Sequence, residues 1–241
     1  RIYTISDPKA QKDPVVAETK KLIGGDWTKL SADELGKLLA HPDWRVRLEA
    51  QYTLAERGDA SIPALARVAT AAAPAAGELG KAANLPAFAR RHAIWGLGMI
   101  AQKTVTALSI YSMMALPANQ LVVRDTPALA PLRTLLHDAD PEVRAQAIKV
   151  LGDHRQTDQA DAFIAALKDP NSRVKFFAAQ SLGKLSAIDA GVVARATPAL
   201  FETLRTNNDV DLHLRHAAVM GLMGGRNVAA HRFFKRQGFR R

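Results

Sequence analysis

The sequence predicts an all-α fold, an α-α superhelix of about five helix pairs, and three observations carry that expectation. One nine-residue stripe returns five times, as Val46-Arg47-x-x-Ala50-x-x-x-Leu54, Ala89-Arg90-x-x-Ala93-x-x-x-Leu97, Val143-Arg144-x-x-Ala147-x-x-x-Leu151, Val174-Lys175-x-x-Ala178-x-x-x-Leu182 and Leu214-Arg215-x-x-Ala218-x-x-x-Leu222. A second amphipathic segment precedes each stripe. Aromatic residues make up only 6% of the chain, Ala and Leu are abundant, and no run alternates β-branched with polar residues, so strands have little to form from.

Residues at i, i+4 and i+8 share one face of an α-helix, so each stripe sets an aliphatic, a small and a large apolar group in a row. The central Ala admits a close neighbour, while the flanking residues fill the space above and below the contact. Asp43, Asp140, Asp169 and Asp211 precede four stripes and are expected to accept the unpaired N–H groups of the helix start. Pro141 and Pro170 are expected at first helical positions, where a missing N–H costs nothing. The upstream helices read as Leu35-Leu38-Leu39, Ile62-Leu65-Val68, Leu129-Leu132-Leu135-Leu136, Phe163-Ile164-Leu167 and Leu200-Phe201-Leu204. Three of them open alike, at Ile62-Pro63-Ala64-Leu65, Thr126-Pro127-Ala128-Leu129 and Thr197-Pro198-Ala199-Leu200, and the first carries a capping box, Ser31-x-x-Glu34.

Each unit is thus a helix, a tight turn and a second helix, and in this it resembles the HEAT repeat and its HEAT-like relatives. The resemblance spans about residues 31–225. A turn residue six places before the basic one, as in Asp138 to Arg144, Asp169 to Lys175 and Asp209 to Arg215, is similar to the ladder that joins successive HEAT repeats. By that resemblance Arg47, Arg90, Asp138, Arg144, Asp169, Lys175, Asp209 and Arg215 are structural rungs; His41 and Asn84 stand where Arg47 and Arg90 would have an acidic turn residue.

Three domains follow: an extended lead-in at 1–14, a solenoid at 15–225 and a basic irregular tail at 226–241. Within the solenoid, the Ala-rich stretch 71–84, with Pro74, Gly77 and Gly80, reads as a surface loop. Residues 104–125 are an insertion whose apolar run is expected to form a short extra helix, too short to span a bilayer. The net charge of +10 includes six basic and no acidic residues in the tail, which leaves +4 for residues 1–225. Within the repeats cations alternate with carboxylates as on solvated helix faces, so nucleic acid is not the expected partner. The tail abandons the repeat after Asn227-Val228-Ala229-Ala230 and reads as an array cut short or a changed reading frame.

A narrower resemblance lies at the beginning. Arg1-Ile2-Tyr3-Thr4-Ile5 has a strand pattern, and a lone strand predicts a partner upstream of it. With Asp13-Pro14-Val15-Val16, the 34–51 segment and Arg90-Arg91-His92-Ala93-Ile94-Trp95-Gly96-Leu97-Gly98, it resembles a junction in large secreted proteins of planctomycete and verrucomicrobial type, described as membrane-bound dehydrogenases or haem-binding CxxCH proteins. There a propeller leads into HEAT repeats and then a c-type cytochrome domain. The resemblance implies a connecting solenoid in a periplasmic or extracytoplasmic parent. With no cysteine, this chain has no CxxCH to hold a c-type haem, and no family catalytic residue maps onto it.

No catalytic, cofactor or metal site is expected within the chain. His213 and His216, spaced i, i+3 beside Asp209 and Asp211, flank the last stripe and read as helix-surface positions rather than ligands. Gly183-Lys184 lacks the upstream glycine of a phosphate loop and reads as the end of a repeat, and Trp27, Trp44 and Trp95 read as packing or edge aromatics. The expected function is a protein-interaction or scaffolding solenoid, with protein partners or adjacent domains of the same chain. If the stripes are core, Ala147→Phe overpacks its helix contact and lowers stability by about 1–3 kcal/mol in urea unfolding; unchanged stability would place the stripe in solvent.

Overall fold

Local sequence decides where each helix begins. Asp43, Asp140 and Asp211 accept the N–H groups of Arg45 (2.9 Å), Glu142 (2.8 Å) and His213 (2.9 Å), two places on, which satisfies donors the helix leaves unpaired. Ser31 and Glu34 form the expected capping box in both directions, at 3.2 and 2.7 Å. The computed structural model describes residues 7–9, 12–72, 85–112 and 126–224. The strand-like segment at 1–5, residues 73–84 of the expected loop, 113–125 of the insertion and the tail at 226–241 lie outside the described residues.

Among the described residues there are eleven α-helices and no strand: α1 Pro14–Ile23, α2 Ala32–Leu38, α3 Trp44–Glu56, α4 Ile62–Ala69, α5 Leu85–Ser112, α6 Ala130–Thr134, α7 Pro141–Asp153, α8 Ala160–Ala166, α9 Ser172–Ser186, α10 Ala190–Asn207 and α11 Leu212–Met223. The five expected pairs are α2/α3, α4/α5, α6/α7, α8/α9 and α10/α11, the arrangement of an α-solenoid. No described helix is long and apolar enough to cross a membrane. The chain divides into two compact units between Ile100 and Ala101.

In the first unit, Leu35, Leu39, Leu65, Ile94 and Ile100 join the stripe residues of α3 and α5 in the core. In the second, Leu129, Leu132, Phe163, Val192 and Leu200 from the first helices cover the stripes of α7, α9 and α11. All fifteen stripe residues are buried, with no more than 6% of any one exposed. One close helix approach uses glycine: a Cβ on Gly183 of α9 would lie 2.9 Å from the Gly221 Cα of α11. Gly183 therefore belongs to a helix crossing, and α9 runs three residues beyond it rather than ending there.

Several boundaries differ from the sequence expectation. Asn171 caps α9 through the Arg173 N–H at 2.9 Å, so Pro170 precedes the cap and Asp169 is released for another role. Thr197-Pro198 lies inside α10, which begins eight residues earlier, where Asp189 accepts the N–H groups of Gly191 and Val192. Pro198 and Ala194, whose carbonyl loses its helical donor, are both exposed, so the interruption faces water. The first part of the insertion, 104–112, continues the backbone of α5 instead of starting a new helix. Helix α1, capped by Asp13 with Pro14 in its first turn, packs on α3 and falls where no repeat pattern announces it.

Candidate functional site

The charged residues of the repeat converge on the turns between paired helices. A first helix ends with unpaired carbonyls and the negative end of its dipole, and a cation from the second helix meets both needs. Arg144 Nη1 donates to the carbonyls of Asp138 (2.7 Å) and Ala139 (3.2 Å). Arg47 Nη1 donates to those of His41 (2.7 Å) and Pro42 (2.8 Å), and its guanidinium lies 5.0 Å from the Phe88 ring centre. Arg90, only 2% exposed, donates from Nε to the Ala69 carbonyl at 2.9 Å, at the end of α4.

The turns close by a shared device. Asp138 Oδ1 accepts the Asp140 N–H at 2.9 Å, and Asp169 Oδ1 accepts the Asn171 N–H at 2.8 Å. His41 does the same through Nδ1, accepting the Asp43 N–H at 3.0 Å, which leaves the proton on Nε2, 3.9 Å from Glu18. The departure at His41 is thus a substitution of acceptors, not a lost turn.

Between pairs, the strongest link is Arg144 to Asp169. Nε and Nη2 donate to Oδ2 and Oδ1, each at 2.9 Å, from side chains 15% and 12% exposed. Burial raises the Asp169 pKa, but the bonds from Arg144 and Asn171 and the charges of Arg144 and Lys175 more than offset this, so it lies below the ordinary carboxylate value. In the first unit Arg47 Nε instead reaches His92 Nε2 at 3.4 Å, and His92 Nδ1 meets Gln51 Oε1 at 2.7 Å. That pattern requires neutral imidazole, its Nδ1–H donated to Gln51 and its Nε2 lone pair turned to Arg47. Burial, followed by the charges of Arg47 and Arg91, pushes the His92 pKa down to about 4.

The fifth turn is built differently. Asn207 brackets Asp211, donating to its carbonyl at 2.9 Å and accepting its N–H at 3.1 Å, while Asn208 (φ 43°) and Asp209 (φ 60°) adopt the left-handed conformation. Asp209 pairs with Arg215 of its own repeat at 3.3 Å, and Lys175 forms no ion pair with it. The expected rung residues therefore come together at Arg144–Asp169 and Asp209–Arg215, while Arg47 and Arg90 bind turn carbonyls and Lys175 is left out.

His213 is 93% exposed and 3.9 Å from Asp211, His216 is exposed, and among the described residues no group of three His, Cys, Asp or Glu is placed to hold a metal ion. Trp44 is 61% exposed, and Trp95 stacks edge-on against His92 with ring centres 5.3 Å apart.

Residues 129–223 match the family model of HEAT repeats. The matched span holds the helix pairs α6/α7, α8/α9 and α10/α11, including the Arg144–Asp169 link. No curated protein matches the chain. Among solved structures, an engineered protein is similar to it at TM-score 0.51 and 18% identity, over 86% of this chain and 85% of that one, which supports the helical-repeat fold alone. A second engineered protein gives TM-score 0.43 at 18% identity, over 81% of this chain and 48% of that one. A designed armadillo repeat protein gives 0.37 at 16% identity, over 81% of this chain and all of that one.

Sequence reasoning missed His92, Gln51, Asn171 and Asn207. Gln51 and His92 lie beside the central Ala residues of their stripes, where a polar side chain meets the neighbouring second helix, and that adjacency was the available signal.

Arg144→Ala leaves Asp169 largely buried without its guanidinium and is expected to cost about 3 kcal/mol in chemical denaturation. A pH test addresses His92. Its folded-state pKa of about 4 lies below the unfolded value of 6.5, so its contribution is complete above pH 6.5 and declines as pH falls toward 4. His92→Gln is expected to flatten that part of the stability profile relative to wild type.

Proposed function

We propose that the chain is a non-catalytic protein-interaction solenoid whose second helices supply the contact surface. The supporting observation is where its exposed large apolar residues lie. Within the paired helices they fall on second helices: Trp44 and Tyr52 on α3, Trp95 on α5, and Leu212, Val219, Met220 and Met223 on α11. The described parts of first helices α2, α4, α6, α8 and α10 carry none. Exposed aromatic and Met side chains of this kind are what protein interfaces bury.

Most regular residues of the repeat are already engaged. Stripe residues pack, and Arg47, Arg90 and Arg144 close turns, so these three basic positions are not a free electropositive surface for nucleic acid. The finer reading, a spacer that docks redox domains in a secreted haem-dependent dehydrogenase, rests on the sequence resemblance at 1–51 and 90–98. Its test is the flanking genomic sequence: a propeller upstream and CxxCH downstream.

Partner capture tests the broader reading. The protein and its Trp44→Ser, Tyr52→Ser variant are used as baits, and captured proteins are quantified by mass spectrometry. Loss of a captured partner by about tenfold or more on the variant is expected. Equal capture, or duplex DNA binding with a steep salt dependence in residues 1–225, would overturn the assignment.

A further inference from the structure

A cleft of about 610 Å³ lies between the α8–α9 turn of the fourth pair and the α10–α11 turn of the fifth. Leu167, Val210 and Leu214 give it apolar walls, and two lysines, Lys168 and Lys175, also line it. Its two carboxylates are already engaged. Glu202 accepts two bonds from Arg205, at 2.8 and 2.6 Å, and Asp211 Oδ1 accepts the N–H groups of His213 and Leu214. Among the described residues neither lysine forms an ion pair: Lys168 acts on Glu202, and Lys175 on Asp169, only through space. The unanswered charge in the cleft is therefore positive.

The preceding turn shows what such a position accepts. There Asp169 takes a two-point bond from Arg144, which stands in its repeat where Lys175 stands in the next. One repeat on, the matching carboxylate is Asp209, and it is committed to Arg215. Lysine suits an exchangeable ligand better than a permanent rung, because its ammonium lacks the fixed fork that arginine offers a carboxylate. Val210, 87% exposed at the rim, adds an uncovered aliphatic surface.

We propose that this cleft binds an acidic peptide segment of a partner protein, with an Asp or Glu carboxylate on Lys175 and Lys168 and a neighbouring aliphatic side chain against Val210 and Leu167. The inference rests on the protein-interaction reading and names a partner chemistry for it. A carboxylate fits better than a phosphate. The cleft offers no guanidinium fork, the nearby helix-start N–H groups of Arg173, His213 and Leu214 are capped, and Glu202 and Asp211 would repel a dianion.

Selection of a random short-peptide display library on the full chain tests this. Peptides carrying Asp or Glu beside Leu, Ile or Val are expected to be enriched. The enriched peptide is expected to bind the Lys168→Met, Lys175→Met protein about tenfold more weakly or worse, with its Asn or Gln counterpart similarly impaired on wild type. Lys175→Arg is expected to retain binding, and unchanged far-ultraviolet circular dichroism confirms that the variants fold. Enriched peptides without carboxylates, or with equal affinity for the double variant, overturn the cleft assignment while leaving an interaction surface elsewhere. Competition by inorganic phosphate as effective as by the peptide also overturns it, in favour of a phosphorylated ligand. No enrichment at all counts against both readings.

Discussion

The close approach of successive second helices is the constraint on which the rest depends. Ala at the centre of each stripe, and glycine at the Gly183–Gly221 crossing, remove the atoms that would hold the helices apart. Within each unit, dispersion and burial then act over rows of side chains instead of isolated contacts. The same spacing brings adjacent turns within reach of a single guanidinium, as Arg144 shows by touching its own turn and Asp169 together.

Electrostatics follows from that packing rather than producing it. Arg144 is favourable because it meets two demands at once: orphan carbonyls at the end of one helix and a carboxylate from the next pair. Other cross-helix ion pairs, such as Arg173–Glu142 and Arg195–Asp161, are more exposed on at least one side and contribute correspondingly less. The first unit reaches a similar link with uncharged imidazole, which shows that the turn needs a lone pair in the right place more than a negative charge.

Much of the fold was legible because helix periodicity and capping chemistry are local. Val143, Ala147 and Leu151 could only be one face of a helix, and Ser31 with Glu34 could hardly serve better than as a cap. What failed was also physical. Thr197-Pro198 reads as a helix start by analogy with Ile62-Pro63, yet Asp189 and the apolar Val192, Val193 and Ala196 carry the helix through it. The pairing of rungs was less legible still. Asp209 looks equivalent to Asp169, and only the two left-handed residues of its turn show why it pairs within its own repeat. Which turn bears a cation without a partner is set by backbone dihedrals that sequence spacing does not encode.

Pro198 has a mechanical consequence. It removes one hydrogen bond from the solvent side of α10, so this helix can bend there at lower cost than at any uninterrupted turn. Both sides of the break are anchored, Val192, Val193 and Ala196 before it and Leu200 and Thr203 after it. The slack is therefore confined to the exposed face of the helix, while the face that carries Ala199, Glu202, Thr206 and Asn207 keeps its place along the cleft. Proline here loosens one side of a helix without loosening its seat.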